Sequence, residues 1–138
     1  MTEPNEQYAY FTLVGDLDPD EISRTVGVQP TECWRKGDVN PRTHLERKFN
    51  RWSLYSRLDR TNPLEAHIED VLQQLGSSKQ SFAEVTAKYG GVMQLVAYFK
   101  TDYPGLHLED RIVRAIGAYG LGVDFDFYFL YSATREDS

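Results

Sequence analysis

From Leu121 to Leu130 the chain alternates without a break, with Val123, Phe125, Phe127 and Phe129 at odd positions and Asp124, Asp126 and Tyr128 between them. A period of two puts the four apolar side chains on one face of a β-strand and the two carboxylates on the other. Such a strand is wet on one side. Parallel sheets are normally covered on both faces, so the pattern calls for an antiparallel or mixed sheet with its helices on a single face.

The rest of the chain supplies the elements for that architecture. Residues 8–14 (YAYFTLV) are aromatic and β-branched, with Ala9, Phe11 and Leu13 alternating against Tyr8, Tyr10 and Thr12, and read as a strand. A helix start follows: Asp18 caps, Pro19 fits the first turn, Glu21 completes a capping box, and Leu17 staples onto Ile22. Gly27 ends that helix. Residues 28–50 lack periodicity, and so long a loop in a compact domain points to a short strand near 32–36. Its expected partner is 51–57, where Trp52 and Leu54 share a face. Asn62 and Pro63 open a second helix with the stripe Leu64, Ile68, Val71, Leu72 and Leu75. Ser81 with Glu84 predicts a third helix start, carrying Phe82, Val85 and Tyr89, before Gly90-Gly91. Residues 92–100 alternate Met93, Leu95, Ala97 and Phe99 as a strand, and after Pro104-Gly105 a fourth helix carries Leu108, Ile112, Ile116 and Tyr119.

The expected fold is therefore α+β, a two-layer sandwich of a mainly antiparallel four- or five-stranded sheet with helices on one face. Its first hundred residues follow the βαββαβ order of a ferredoxin-like unit, with a helix and a strand added. One domain, 8–131, is expected between short tails at 1–7 and 132–138.

Composition narrows the setting. Apolar residues make up 41% of the chain, enough to build a core without cross-links, and the single cysteine, Cys33, has no partner for a disulfide. The start MTEPNEQ has neither the basic nor the apolar stretch of a secretory signal, and no apolar run approaches the roughly 20 residues of a membrane span. The cytoplasm is the expected location, with no membrane partner. A net charge of −6 argues against nucleic acid as a partner over most of the surface. The charge is uneven, however: Arg35, Lys36, Arg42, Arg47, Lys48 and Arg51 face only Asp38 and Glu46 within residues 35–51.

Several stretches resemble a known family. The opening YAYFTLVGDLDPDEISRTVGVQPTECWRKGD, the later WSLYS at 52–56, the helix EAHIEDVLQQL and the aromatic last strand are similar to a bacterial family called domain of unknown function 4279. The most recognisable parts are Gly15-Asp16-Leu17-Asp18, the Gly27-Val28-x-Pro30-Thr31 turn, Lys36-Gly37-Asp38 and Trp52. The resemblance spans about Tyr8 to Tyr131 and implies a fold and a bacterial setting, with no activity to carry over.

The strongest candidate site is the loop around Trp34. Arg35, Lys36, Arg42, Arg47 and Arg51 can clamp a phosphate or carboxylate, Trp34 can stack on a planar ligand, and Asp38, His44 and Trp52 complete the set. The plainer reading has Trp34 and Trp52 closing the edge of the core and the charges solvating a loop. Cys33 beside Arg35 and Lys36 invites a nucleophile reading, with His44 or His107 as base, although a free cysteine is usually a small buried side chain. His67 and Asp70, three apart on a helix, are expected on its polar side, and no metal site or cofactor is expected. Asp124 and Asp126, and Glu109 and Asp110, are explained by a solvated face and a helix start. No catalytic constellation emerges. The leading expectation is a non-enzymatic module that binds another protein through the wet sheet face or the 30–52 loop, in one version an immunity-type protein. The alternative is a small-anion sensor or enzyme using the basic loop, and a homodimer through a sheet edge or face is left open.

Overall fold

Alternation, caps and glycine stops place nine elements along the chain. The computed structural model describes residues 3–132. They form β1 (Glu6–Gly15), α1 (Pro19–Val26), β2 (Glu32–Trp34), β3 (Asn50–Tyr55), α2 (Leu64–Gly76), α3 (Lys79–Tyr89), β4 (Val92–Phe99), α4 (Asp110–Ala118) and β5 (Gly122–Phe129). The expected tail at 132–138 lies, from 133 on, outside the described residues.

One five-stranded sheet runs in the order β2-β3-β1-β4-β5. The pairs β2–β3, β3–β1 and β1–β4 are antiparallel, which is the ferredoxin-like arrangement, and the added β5 runs parallel to β4. A parallel neighbour needs a crossover, and α4 supplies it. The fold class is the expected one, a mixed α+β sheet that does not close on itself.

Strand parity decides what is buried. Ala9, Phe11 and Leu13, Trp52 and Leu54, and Met93 and Leu95 join residues of all four helices in one core. Phe11, Trp52 and Phe82 meet there, the Phe11 ring edge-on to both others. Every helix thus lies on the same side of the sheet.

The sheet also approaches α3 closely at the start of β4. A methyl group on Gly91 would stand 2.9 Å from both Leu121 Cδ2 and Thr86 Cγ2, and 3.3 Å from Phe11 Cε1. Gly91→Ala is expected to cost about 1–3 kcal/mol by overpacking. Urea denaturation, read as a lower midpoint at unchanged slope, checks it.

Three local expectations are corrected, and the exposure of Cys33, which the sequence leaves open, is settled. β1 starts at Glu6 rather than residue 8, because the side chain of Gln7 donates to the carbonyls of Arg60 and Asn62 and holds the strand's first residues in place. Asp18 does cap α1, accepting from the Asp20 N–H at 3.0 Å, but Glu21 does not close a capping box and instead accepts from the Tyr89 hydroxyl. Ser81 is not a cap, since α3 follows α2 after only Ser77 and Ser78 and already begins at Lys79. Cys33 is exposed: its side chain has the parity of Trp52, but β2 is a three-residue edge strand.

The largest correction concerns α2. His67 and Asp70 do not lie on a solvated side; they are 0% and 8% exposed. The segment that follows β3 folds back over them. His67 Nδ1 lies 2.6 Å from Ser56 Oγ, and its Nε2 has no hydrogen-bond partner among the described residues. Asp70 accepts from the Arg57 backbone N–H at 2.8 Å, from the Arg57 guanidinium at 2.7 Å and from Gln74 Nε2 at 3.0 Å. Burial pushes the Asp70 carboxyl up, but these donors outweigh it and hold it below the usual range. Burial pushes the His67 imidazole down, against the pull of the nearby Asp59 carbonyl and Asp70 carboxylate.

Candidate functional site

The sheet face turned away from the helices carries the side chains of opposite parity. Its rows follow from register. Trp34 lies beside Arg51 and Val14, Tyr55 beside Tyr10 and Gln94, and Tyr98 beside Tyr128. Cross-strand neighbours of this kind are close enough to stack.

They do stack. Tyr10 and Tyr55 lie 4.3 Å apart at 15°, Tyr8 reaches Tyr55 at 5.8 Å, and Tyr98 and Tyr128 lie 5.0 Å apart at 9°. Guanidinium groups extend the series. Arg47 sits 3.5 Å above the Trp34 ring, Arg51 lies between Trp34 at 4.9 Å and Tyr10 at 5.2 Å, and Arg60 covers Tyr8 at 4.4 Å. The result is a run of aromatic rings and cations from one side of the sheet to the other.

Burial among neighbours pushes the hydroxyls of Tyr8 and Tyr55 up, in the second case with Glu32 beside it. Both therefore stay neutral hydrogen-bonding groups at neutral pH. Tyr55 donates to Glu32 Oε1 at 3.1 Å. Asp124 and Asp126 are exposed on the same face at the β5 end.

A lobe built from residues 35–49 rises at the β2 end. Its two arms are tied by the bridge between Val39 and Glu46 and by bonds from Gly37 N–H to Arg47 O and from Arg47 N–H to Asp38 O. Asn50 locks its base, accepting from the Lys36 N–H and donating to the Leu17 carbonyl. The lobe turns apolar side chains outward, Leu45 at 69% and Phe49 at 59% exposure. With Val14, Trp34, Arg47 and Arg51 they line a shallow depression.

The residues singled out from sequence therefore separate. Trp34, Arg47 and Arg51 come together on the open face. Lys36 and His44 meet Arg47 in a second depression on the lobe. Arg35 is committed elsewhere, to Asp18 at 2.8 Å and Asp20 at 2.9 Å, and its guanidinium holds the Asp18 carboxyl below the usual range. Asp38 serves the lobe's own backbone by accepting from the Arg35 N–H. Arg42 lines neither depression. Trp52 faces the helices, fully buried, with its indole N–H donated to Ser23 Oγ. The five cations do not converge on one pocket.

Tyr55, Tyr98, Leu45 and Phe49 belong to the surface but were not among the residues drawn from sequence. For the two tyrosines the signal was present: each shares parity with polar neighbours, Arg51 and Ser53 or Gln94. Among the described residues no three His, Cys, Asp or Glu side chains are placed to hold a metal ion. No described helix is long and apolar enough to cross a membrane.

Fold and surface together define a ferredoxin-like α+β domain with one bare, aromatic sheet face and a basic lobe at its end. The chain belongs to the family described as domain of unknown function (DUF4279), whose sequence model matches residues 5–130. Neither the curated proteins nor the solved structures contain a match to it.

Proposed function

We propose that this chain is a non-enzymatic protein-binding module that grips its partner with the open sheet face and the adjoining lobe. One observation carries the reading: the face left bare by the helices is built from Trp, Tyr and Arg, the residue types that dominate binding energy at protein interfaces. Their stacking supports it further, because side chains already held in place lose little freedom when a partner arrives. Leu45 and Phe49 on the lobe add exposed apolar anchors next to this patch.

Charge suggests the partner's pattern. The lobe end is basic and the β5 end carries Asp124 and Asp126, so a matching protein presents carboxylates to the first and cations to the second. In a bacterial cytoplasm, an immunity-type role against a basic toxin fits the acidic end of this face.

The test is affinity capture from the organism that makes the protein, using the native chain, Tyr10→Ala, Phe49→Ala and, on the helical side, Arg111→Ala. The native chain and Arg111→Ala are expected to recover the same protein. Each of the other two is expected to weaken that complex about 10- to 100-fold. Recovery that is indifferent to Tyr10 and Phe49 sinks the proposal. So does tight, salt-dependent binding of single-stranded oligonucleotides with no protein partner, because bases also stack on aromatic sheet faces.

A further inference from the structure

We propose that the free edge of β5 pairs with β5 of a second copy, antiparallel and about a two-fold axis at Phe127, so that two sheets continue as one. Among the described residues β5 is the last strand of the sheet. The Gly122 N–H bonds to the Gly91 carbonyl at 3.0 Å and the Leu130 N–H to the Phe99 carbonyl at 2.8 Å, so even-numbered residues turn their backbone groups toward β4. Backbone direction alternates along a strand, and the N–H and C=O groups of Val123, Phe125, Phe127 and Phe129 therefore point off the sheet.

Sheet edges are usually protected. The opposite edge, β2, is three residues long and runs into the lobe. β5 is eight residues long with no proline or lysine, and its two charges, Asp124 and Asp126, both stand on the open face. Val123 and Phe127 pack against the core, but the apolar side chains between and beyond them are uncovered. Phe125 and Phe129 point to the helix side yet are 58% and 55% exposed. On α4, Arg111, Ile112 and Ala115 line the groove against α2, which turns Val113 the other way, and it too is exposed. An apolar strip of this kind, next to backbone groups with no partner among the described residues, is an interface waiting for a strand.

The strip complements itself. A two-fold axis normal to the sheet keeps the faces matched, so odd-numbered residues oppose odd-numbered ones. Centring the pair on Asp126 sets two carboxylates against each other, and centring it on Phe125 sets Asp124 against Asp126. Centring it on Tyr128 leaves only a short overlap within the strand. Centring it on Phe127 places Phe125 against Phe129 of the second copy, Asp126 against its Tyr128, and Asp124 against its Leu130. This is the longest in-strand overlap in which no carboxylate meets another, and opposed like charges are unfavourable. Both open faces then lie on one side of the continuous sheet.

Sedimentation of the native chain over a dilution series, in the presence of reductant, is expected to show a reversible species of twice the 15.9 kDa chain mass. Phe125→Pro removes an outward N–H without touching the β4 ladder, and Phe129→Lys puts a charge on the strip. Each is expected to raise the dissociation constant about tenfold or more. Far-UV circular dichroism identifies a variant that has misfolded, in which case the other decides. A native chain that stays monomeric, a dimer lost on reduction and therefore linked through Cys33, or a dimer untouched by the folded variants overturns the proposal.

Discussion

Trp52→Ala is expected to remove about 3–5 kcal/mol of folding stability, while Trp34→Ala, eighteen positions earlier in the chain, is expected to remove about 1 kcal/mol. The two side chains look alike in sequence, each beside arginine on a short strand. Register separates them. Trp52 pairs across β2–β3 with Cys33 and faces the helices, where it is fully buried against Phe11 and Phe82 and donates its N–H to Ser23. Removing it leaves a cavity in the core and takes the indole donor away from the half-buried Ser23 hydroxyl. Trp34 pairs with Arg51 on the other face and loses only its contacts with Arg47 and Arg51. A domain of this size has about 5–15 kcal/mol in all, so the first substitution consumes much of the margin and the second little. Urea unfolding followed by circular dichroism checks both: a larger cost at Trp34 than at Trp52 would mean that the two faces have been assigned the wrong way round, and equal costs that Trp52 is not the deeper of the two.

The contrast shows what the sequence could convey. Period-two alternation and the Asp18 and Gly27 helix ends are local signals, and they located the strands, most helix limits and the one-sided layering. The long 28–50 segment was recognisable as hiding a strand because a structureless loop of that length is unfavourable in a compact domain. What could not be read depends on contacts between distant segments. His67 and Asp70 look like a polar helix edge until residues 56–62 are seen to fold over them. Arg35 looks like part of a basic cluster until Asp18 and Asp20, far back in the chain, are brought to it. The lobe is similar: its charge was visible, but the outward turn of Leu45 and Phe49 follows from the bridge between Val39 and Glu46, which no periodicity announces.

Acidification is expected to destabilise the protein in two stages, and His67 sets the first. Its imidazole is fully buried and its pKa is held below the ordinary value of about 6.5 by burial. Above that pH neither the folded nor the unfolded chain binds a proton there, and the stability is intact. Below it the unfolded chain takes up a proton that the folded chain resists, so stability falls by up to about 1.4 kcal/mol per pH unit until the folded pKa is reached. The second stage belongs to carboxyls held below their ordinary range: Asp70 by its donors against burial, and Glu6 by Lys100. Their contribution is present above roughly pH 4 and is lost as pH falls through their lower folded values. Unfolding free energies measured by urea titration between neutral pH and pH 5 isolate the first stage. The native protein is expected to lose stability over that range and His67→Gln, which cannot titrate there, to lose much less. A native profile as flat as the variant's would mean that His67 is reached by solvent, and that the 56–62 segment does not close over α2.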